Sequence, residues 1–279
     1  ETFNFRARKP NSTFSGRHTS ILALCAGMAS LAFGADDLAT VSLQHPDSAA
    51  AVGAGGDSFA PIMSPEGRYV LFASTARNLA LATNGMTFQG ADSPVLNVYR
   101  RDRVEQRTLL ASPGLGGDEL GNNNSLPLAL STNGLLALIE SSASNLVQDD
   151  TNSVSDIFVR DLEHGETVLV SMGTNGVSAN GASYNAVMTP DGHYVAFASA
   201  ASNLVANDTN NLPDVFLRDL HSGLTILVSK DLQPSPTTYT NLSADLPQIT
   251  PDGTRIAFVV QGRNRTGGRR GNCGGRNIA

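Results

Sequence analysis

From residue 59 to residue 260 the chain alternates short apolar runs with clusters of Gly, Pro, Asp, Asn and Ser. YVAFA (194–198) and DVFLR (214–218) are typical: brief, rich in β-branched and aromatic side chains, and bounded by turn residues. Such runs predict strands, and no segment after residue 35 carries a helical period. Thr189-Pro190-Asp191-Gly192 predicts a hairpin turn, because Pro presets φ and Gly accepts the positive φ that closes a tight loop. DLEHGET (161–167) and DLHSGLT (219–225) predict a second hairpin connection with glycine in the turn.

The pattern repeats. MSPEGRYVLFAS (63–74), LSTNGLLALIES (130–141), MTPDGHYVAFAS (188–199) and ITPDGTRIAFVV (249–260) align on Gly67, Gly134, Gly192 and Gly253, which lie 67, 58 and 61 residues apart. In the first three an Asn-Leu follows, at Asn78, Asn145 and Asn203. Then come NVYRRD (97–102), DIFVRD (156–161) and DVFLRD (214–219), each followed by a turn and a further strand-like run. One repeat thus predicts four short strands, near 185–188, 194–198, 214–218 and 224–229 in the third. Four antiparallel strands per unit of this length describe the blade of a β-propeller. The fold class expected is all-β, with about three full blades and a partial fourth, in an incomplete or open ring.

The string TPDGHYVAFASAASNLV, with DTN, DVFLRDL and a turn Gly after it, resembles the bacterial TolB-type propeller repeat, a relative of WD-type blades. The resemblance covers roughly residues 59–260, with the Pro-Asp-Gly turn as its most specific part, and is weakest in the second repeat, where Ser131-Thr132-Asn133 has neither Pro nor Asp. It implies an exported protein used as an interaction surface. Some relatives form the non-catalytic domain of serine peptidases, and a related fold occurs in certain pectin-degrading lyases.

Charge sharpens the domain boundaries. The 279 residues carry 19 Lys and Arg against 25 Asp and Glu, but the two ends are basic. Residues 35–261 hold only ten of the basic residues and 24 of the acids, which disfavours a phosphate backbone and excludes nucleic acid as a partner class. At the N-terminus RARK and Arg17 precede the apolar run ILALCAGMASLAF (21–33), and Ala32-Phe33-Gly34 offers small residues for cleavage before Ala35. Residues 1–34 therefore read as an export signal, with an apolar run too short to span a bilayer, and the destination as periplasmic or secreted. Residues 35–58 read as an outer strand (ATVSL, 39–43) and linker, 59–261 as the blades, and 262–279 as a disordered Gly/Arg-rich tail, the mark of a truncated or frame-shifted repeat. Cys25 and Cys273 lie outside the blades, so no disulfide framework supports them.

Candidate chemistry centres on the twin loops. Asp150, Asn152 and Asp156, and likewise Asp208, Asn210 and Asp214, stand at positions 1, 3 and 7 of their loops. Alternating Asp and Asn oxygens suit a structural calcium ion, although a closing Glu and a central Gly are missing. The competing reading is that these side chains cap turns by bonding their own backbone. The first repeat carries Asn97 where the others have Asp156 and Asp214. No nucleophile elbow, zinc-protease helix or phosphate loop is present, and no cofactor is required. His164, His193 and His221 fall on different turns without metal-ligand spacing. Asp161 and Asp219 are expected to bond turn amides, and Arg160 and Arg218 to pair with nearby acids. The function expected is a non-enzymatic module recognising a protein or glycan through its loops. The alternative is the non-catalytic propeller of a truncated peptidase or polysaccharide-degrading enzyme.

Overall fold

The computed structural model describes residues 54–277, except 83, 89–93, 149, 231–238 and 265–268. All described residues belong to one compact unit within Ala39–Ala279. The expected export signal and the expected ATVSL strand lie outside the described residues.

Each repeat forms one antiparallel sheet in simple meander order. The first blade comprises β1 (Ser58–Met63), β2 (Tyr69–Ser74), β3 (Asn97–Asp102) and β4 (Arg107–Leu110). The second comprises β5 (Ser125–Leu130), β6 (Leu136–Ser141), β7 (Asp156–Asp161) and β8 (Glu166–Leu169). The third comprises β9 (Ser183–Met188), β10 (Tyr194–Ser199), β11 (Asp214–Asp219) and β12 (Thr225–Leu227). The fourth sheet has three strands, β13 (Tyr239–Ile249), β14 (Arg255–Asn264) and β15 (Arg269–Asn277). The described residues form an all-β propeller assembly of three four-stranded blades and one three-stranded blade.

The turns form as the sequence dictates. In the third blade the Gly192 N–H donates to the Thr189 carbonyl at 2.8 Å. The Thr189 hydroxyl donates to Asp191 Oδ1 at 2.6 Å, and the same oxygen accepts the His193 N–H at 3.0 Å. In the second blade, which has no Pro-Asp, Asn133 Oδ1 takes over both roles, accepting from Ser131 Oγ at 2.6 Å and the Leu135 N–H at 3.1 Å. An amide oxygen there does the work of a carboxylate oxygen.

Apolar faces meet between blades, not within one sheet. Leu71 and Val98 of the first blade pack with Ile139 and Phe158 of the second. Leu138 and Val159 of the second pack with Val195, Phe197 and Phe216 of the third. Ala196 and Val215 of the third pack with Ile256 and Phe258 of the fourth. The middle strands are therefore buried on both faces, which explains their nearly continuous apolar runs. The face of the first blade that carries Val70, Phe72 and Tyr99 is packed by Ala82 and Phe88 from the long β2–β3 connection. The insertion peculiar to the first repeat thus serves as a cover.

The expectation of a strandless tail after residue 261 is corrected by the structure. β14 runs on to Asn264, and β15 pairs with it in continuous register from Arg255↔Asn277 to Arg263↔Arg269. Ladder pairing uses backbone N–H and C=O groups, which every residue but Pro supplies. A run without strand-like side chains can therefore still complete an open sheet edge.

Candidate functional site

The acids of the twin loops are drawn into hydrogen-bonded clamps. Asp156, at the start of β7, is fully buried, and its Oδ1 accepts from Ser171 Oγ while its Oδ2 accepts from Asn152 Nδ2. Ser171 Oγ in turn accepts the Ile157 N–H at 3.0 Å. Asn152 Nδ2 also donates to the Ala179 carbonyl at 2.7 Å, and Asn152 Oδ1 accepts the Val154 N–H at 2.8 Å. The loop therefore ties β7, the segment after β8 and the linker to the third blade at a single point. The third blade repeats the device: Ser229 Oγ and Asn210 Nδ2 donate to Asp214, and Asn210 Oδ1 accepts the Leu212 N–H at 2.7 Å. In the first blade Asn97 Oδ1 accepts from Ser112 Oγ at 3.1 Å and from the Gly121 N–H at 3.0 Å.

Electrostatics follow from this burial. Desolvation pushes the Asp156 carboxyl up to about 6, against the lowering effect of Ser171 and Asn152. Asp150 is buried too, and desolvation raises it as well. Its Oδ1 has no hydrogen-bond partner. Desolvation and the neighbouring Asp214 raise Asp208. Asn152 and Asn210 each turn an N–H toward the acid, and each amide oxygen is taken up by the backbone. Calcium needs six to eight oxygens, and among the described residues of the second blade's loop this arrangement leaves Asp150 Oδ1 as the buried side-chain oxygen without a partner.

The repeated Asn-Leu markers fasten blades to their incoming linkers. Asn145 Oδ1 accepts the Asn122 N–H at 2.8 Å, Asn203 Oδ1 the Asn180 N–H at 2.9 Å, and Asn78 Oδ1 the Gly55 N–H at 2.9 Å. Beside the first two blades lies a pocket of about 500 Å³, lined among others by Arg77, Met86, Asp118, Glu119 and Asn122.

The acid that ends each third strand closes the following turn, as expected. Asp102 Oδ1 accepts the Val104 and Glu105 amides, Asp161 Oδ1 those of Glu163 and His164, and Asp219 Oδ1 those of His221 and Ser222. Hydrogen bonds from the Ser222 amide and hydroxyl, then from His221, hold Asp219 down at about 2, with a further contribution from the charge of His193. The expected pairing of Arg160 and Arg218 with acids is replaced by a cross-strand one. Their Nη1 groups donate to Thr167 and Thr225 Oγ1, both at 2.9 Å, because the register places Arg and Thr opposite each other.

The histidines are where sequence spacing misled. His193 lies in the β9–β10 turn and His221 in the β11–β12 turn, yet Tyr194 pairs with Asp219 and brings both turns to one end of the blade. His193 Nε2 lies 3.1 Å from Asp219 Oδ1. The His193 ring stands 4.0 Å from the Tyr194 ring and 4.0 Å from that of His221. His193, Asp219 and His221 offer one ligand atom each, all within 4.8 Å of one another.

No protein-family model matches the chain, and neither does any curated protein sequence. Among solved structures it is similar to the tricorn protease, at 9% identity and TM-score 0.43, over 79% of this chain and 21% of that one. It is also similar to dipeptidyl peptidase 4 of Porphyromonas gingivalis, at 14% identity and TM-score 0.44, over 73% of this chain and 29% of that one. A third similarity is to a thermostable family-43 glycoside hydrolase, at 14% identity and TM-score 0.32, over 78% of this chain and 70% of that one. The chain thus spans less than a third of the length of either peptidase.

Proposed function

We propose that the chain is an exported, non-enzymatic propeller module of the TolB type that recognises a protein or glycan partner through its blade loops. One observation carries this reading. The polar residues shared by the repeats hold turns, linkers and clamps together, whereas the 500 Å³ pocket adds to the shared Asn122 and Asn145 a set of residues that the other repeats lack. Arg77 stands where the other blades have Ser144 and Ser202, Met86 belongs to the first repeat's insertion, and Asp118-Glu119 extend its exit linker. Met86 is 64% exposed, a large apolar side chain left at the rim of a charged pocket. Such a mixture of exposed apolar and charged groups suits recognition of another molecule's surface. Among the described residues no helix is long and apolar enough to cross a membrane.

Structural calcium at the twin loops is a subordinate part of the proposal, supported by the buried Asp150 oxygen that finds no partner. A melting temperature raised by calcium over chelator, and no longer raised in Asp150→Asn, would assign it; identical melts would leave the clamps alone.

The alternative, the propeller portion of a longer peptidase or polysaccharide-degrading enzyme, is favoured by the fourth blade. Ala257 is exposed, whereas its counterpart Ala196 in the third blade is fully buried against the next blade. The test uses the full chain on a glycan array and in crosslinking to cell-envelope proteins, beside turnover assays on peptide nitroanilides and pectin. Saturable binding weakened by Arg77→Ser and Met86→Ala, without turnover, is expected. Pocket variants that bind like the parent would sink the reading, as would turnover abolished by a point substitution.

A further inference from the structure

We propose that His193, Asp219 and His221 form a binding site for a borderline divalent transition-metal ion, of which zinc is the test case. The argument starts from the constant feature of the blades. Each complete blade ends its third strand in an acid, and the residue following the first turn's glycine lies beside that acid or near it. In the first blade this residue is Arg68, whose Nε and Nη2 both donate to Asp102, so the carboxylate already has a cation. In the second it is Leu135, and Asp161 bonds His164 from its own turn instead. In the third blade the acid faces two imidazoles, and among the described residues no Arg or Lys is paired with it.

The geometry can accommodate a metal ion with little rearrangement. Zinc-to-nitrogen and zinc-to-oxygen bonds of about 2.0–2.2 Å imply neighbouring ligand atoms about 3–3.5 Å apart. The 3.1 Å between His193 Nε2 and Asp219 Oδ1 is already one such edge. His221 is exposed and can close the remaining distance by side-chain rotation. Backbone bonds fix the two turns that carry the ligands: the Leu220 N–H donates to the His193 carbonyl at 3.0 Å, and the Asp219 N–H to the Leu224 carbonyl at 2.9 Å. Asp219 is aimed by the His221 and Ser222 amides, and His193 is held against Tyr194. Two imidazoles with one carboxylate select zinc, nickel or copper over the oxygen-preferring calcium and magnesium. Three protein ligands leave a coordination position open to solvent, where water or a donor group of a partner would bind. The site is separate from the pocket beside Arg77 and does not depend on that reading.

The experiment is a zinc titration of the chelator-stripped full chain by calorimetry, in a Cys25→Ser, Cys273→Ser background that removes thiolate ligands. One zinc per chain is expected, unaffected by millimolar calcium. His221→Ala and His193→Gln should each weaken binding at least tenfold. His164→Ala, at the single-histidine turn of the second blade, should leave it unchanged. His221 is exposed, so the metal-free melting curve of His221→Ala should match the parent and separate lost ligation from lost folding. Zinc uptake by the parent no tighter than by His221→Ala would overturn the proposal, and so would equal loss in His164→Ala.

Discussion

Asp156 sits wholly inside the second blade with Ser171 and Asn152 donating to its two oxygens. Its carboxyl is pushed up to about 6 from an ordinary 3.8, chiefly by desolvation. A raised folded pKa means that the folded state holds the proton more tightly than the unfolded chain does. The stability this group contributes is therefore fully present below about pH 4 and is lost as pH rises through about 6. The full swing corresponds to about 3 kcal/mol. Asp219 and Asp252 work in the opposite sense: each is held at about 2 by turn hydrogen bonds, and their contributions fade as pH falls below about 4. Chemical denaturation of the parent should show stability growing from pH 7 to pH 4.5, and Asp156→Asn should show a shallower slope, the rest belonging to Glu140, Asp150 and Asp208, which burial also raises. The slope is the readout because Asn offers one acceptor oxygen where Asp156 uses two, so one of the donors from Ser171 and Asn152 loses its partner at a cost of about 1–3 kcal/mol that does not vary with pH. An unchanged slope in the variant would show that Asp156 is not the group responsible.

At the scale of single elements, the turn glycines do more than close hairpins. A Cβ on Gly192 would stand 2.3 Å from Leu136 Cδ1 of the second blade, and one on Gly253 would stand 2.6 Å from Tyr194 of the third. Each turn thus tucks under the first residue of the preceding blade's second strand. Gly176 has an equally positive φ of 81°, but nothing lies within 4 Å of its missing Cβ. Gly176→Ala should therefore cost only the left-handed backbone penalty, about 1–2 kcal/mol. Gly134→Ala, whose Cβ would stand 2.0 Å from Tyr69 Cδ2 and 2.6 Å from its Cγ, should add an overpacking cost of about 1–3 kcal/mol. Equal losses in the two variants would remove the interlock from the account. The strands and these turns were legible because β-branched runs and Pro-Asp-Gly carry their geometry locally. β15 was not, since its pairing is made by backbone alone. The His193–Asp219–His221 cluster was not legible either. It depends on a register that brings together residues 26 positions apart, and spacing along the chain says nothing of that distance. The Arg160–Thr167 pair shows the same limit, because charge suggested an acid and the strand alignment supplied a Thr.

At the scale of the whole molecule, the described blades meet at three interfaces joined in series, and stability resides in them. Each is apolar, and each is reinforced at its edge where a first strand takes a backbone bond from the blade before it: the Ser125 N–H donates to the Leu96 carbonyl at 2.9 Å, the Ser183 N–H to that of Ser155 at 2.7 Å, and the Ala244 N–H to that of Pro213 at 2.8 Å. An array coupled only through neighbours unfolds as one unit while every interface is strong, and separates where one is weakened. Phe197 is the place to weaken it. Its ring is fully buried between the second and third blades, stacked 5.8 Å from Phe216. Truncation to Ala removes about 3–5 kcal/mol of packing, and that loss falls on one junction. Calorimetry of the parent should show a single transition. Phe197→Ala should show two, with the first and second blades melting apart from the third and fourth. Val70, by contrast, packs beside Phe88 on the outer face of the first blade and bridges no junction. Val70→Ala should lower the transition without dividing it. A division in both variants, or in neither, would mean that the blades do not couple through the interfaces their apolar faces define.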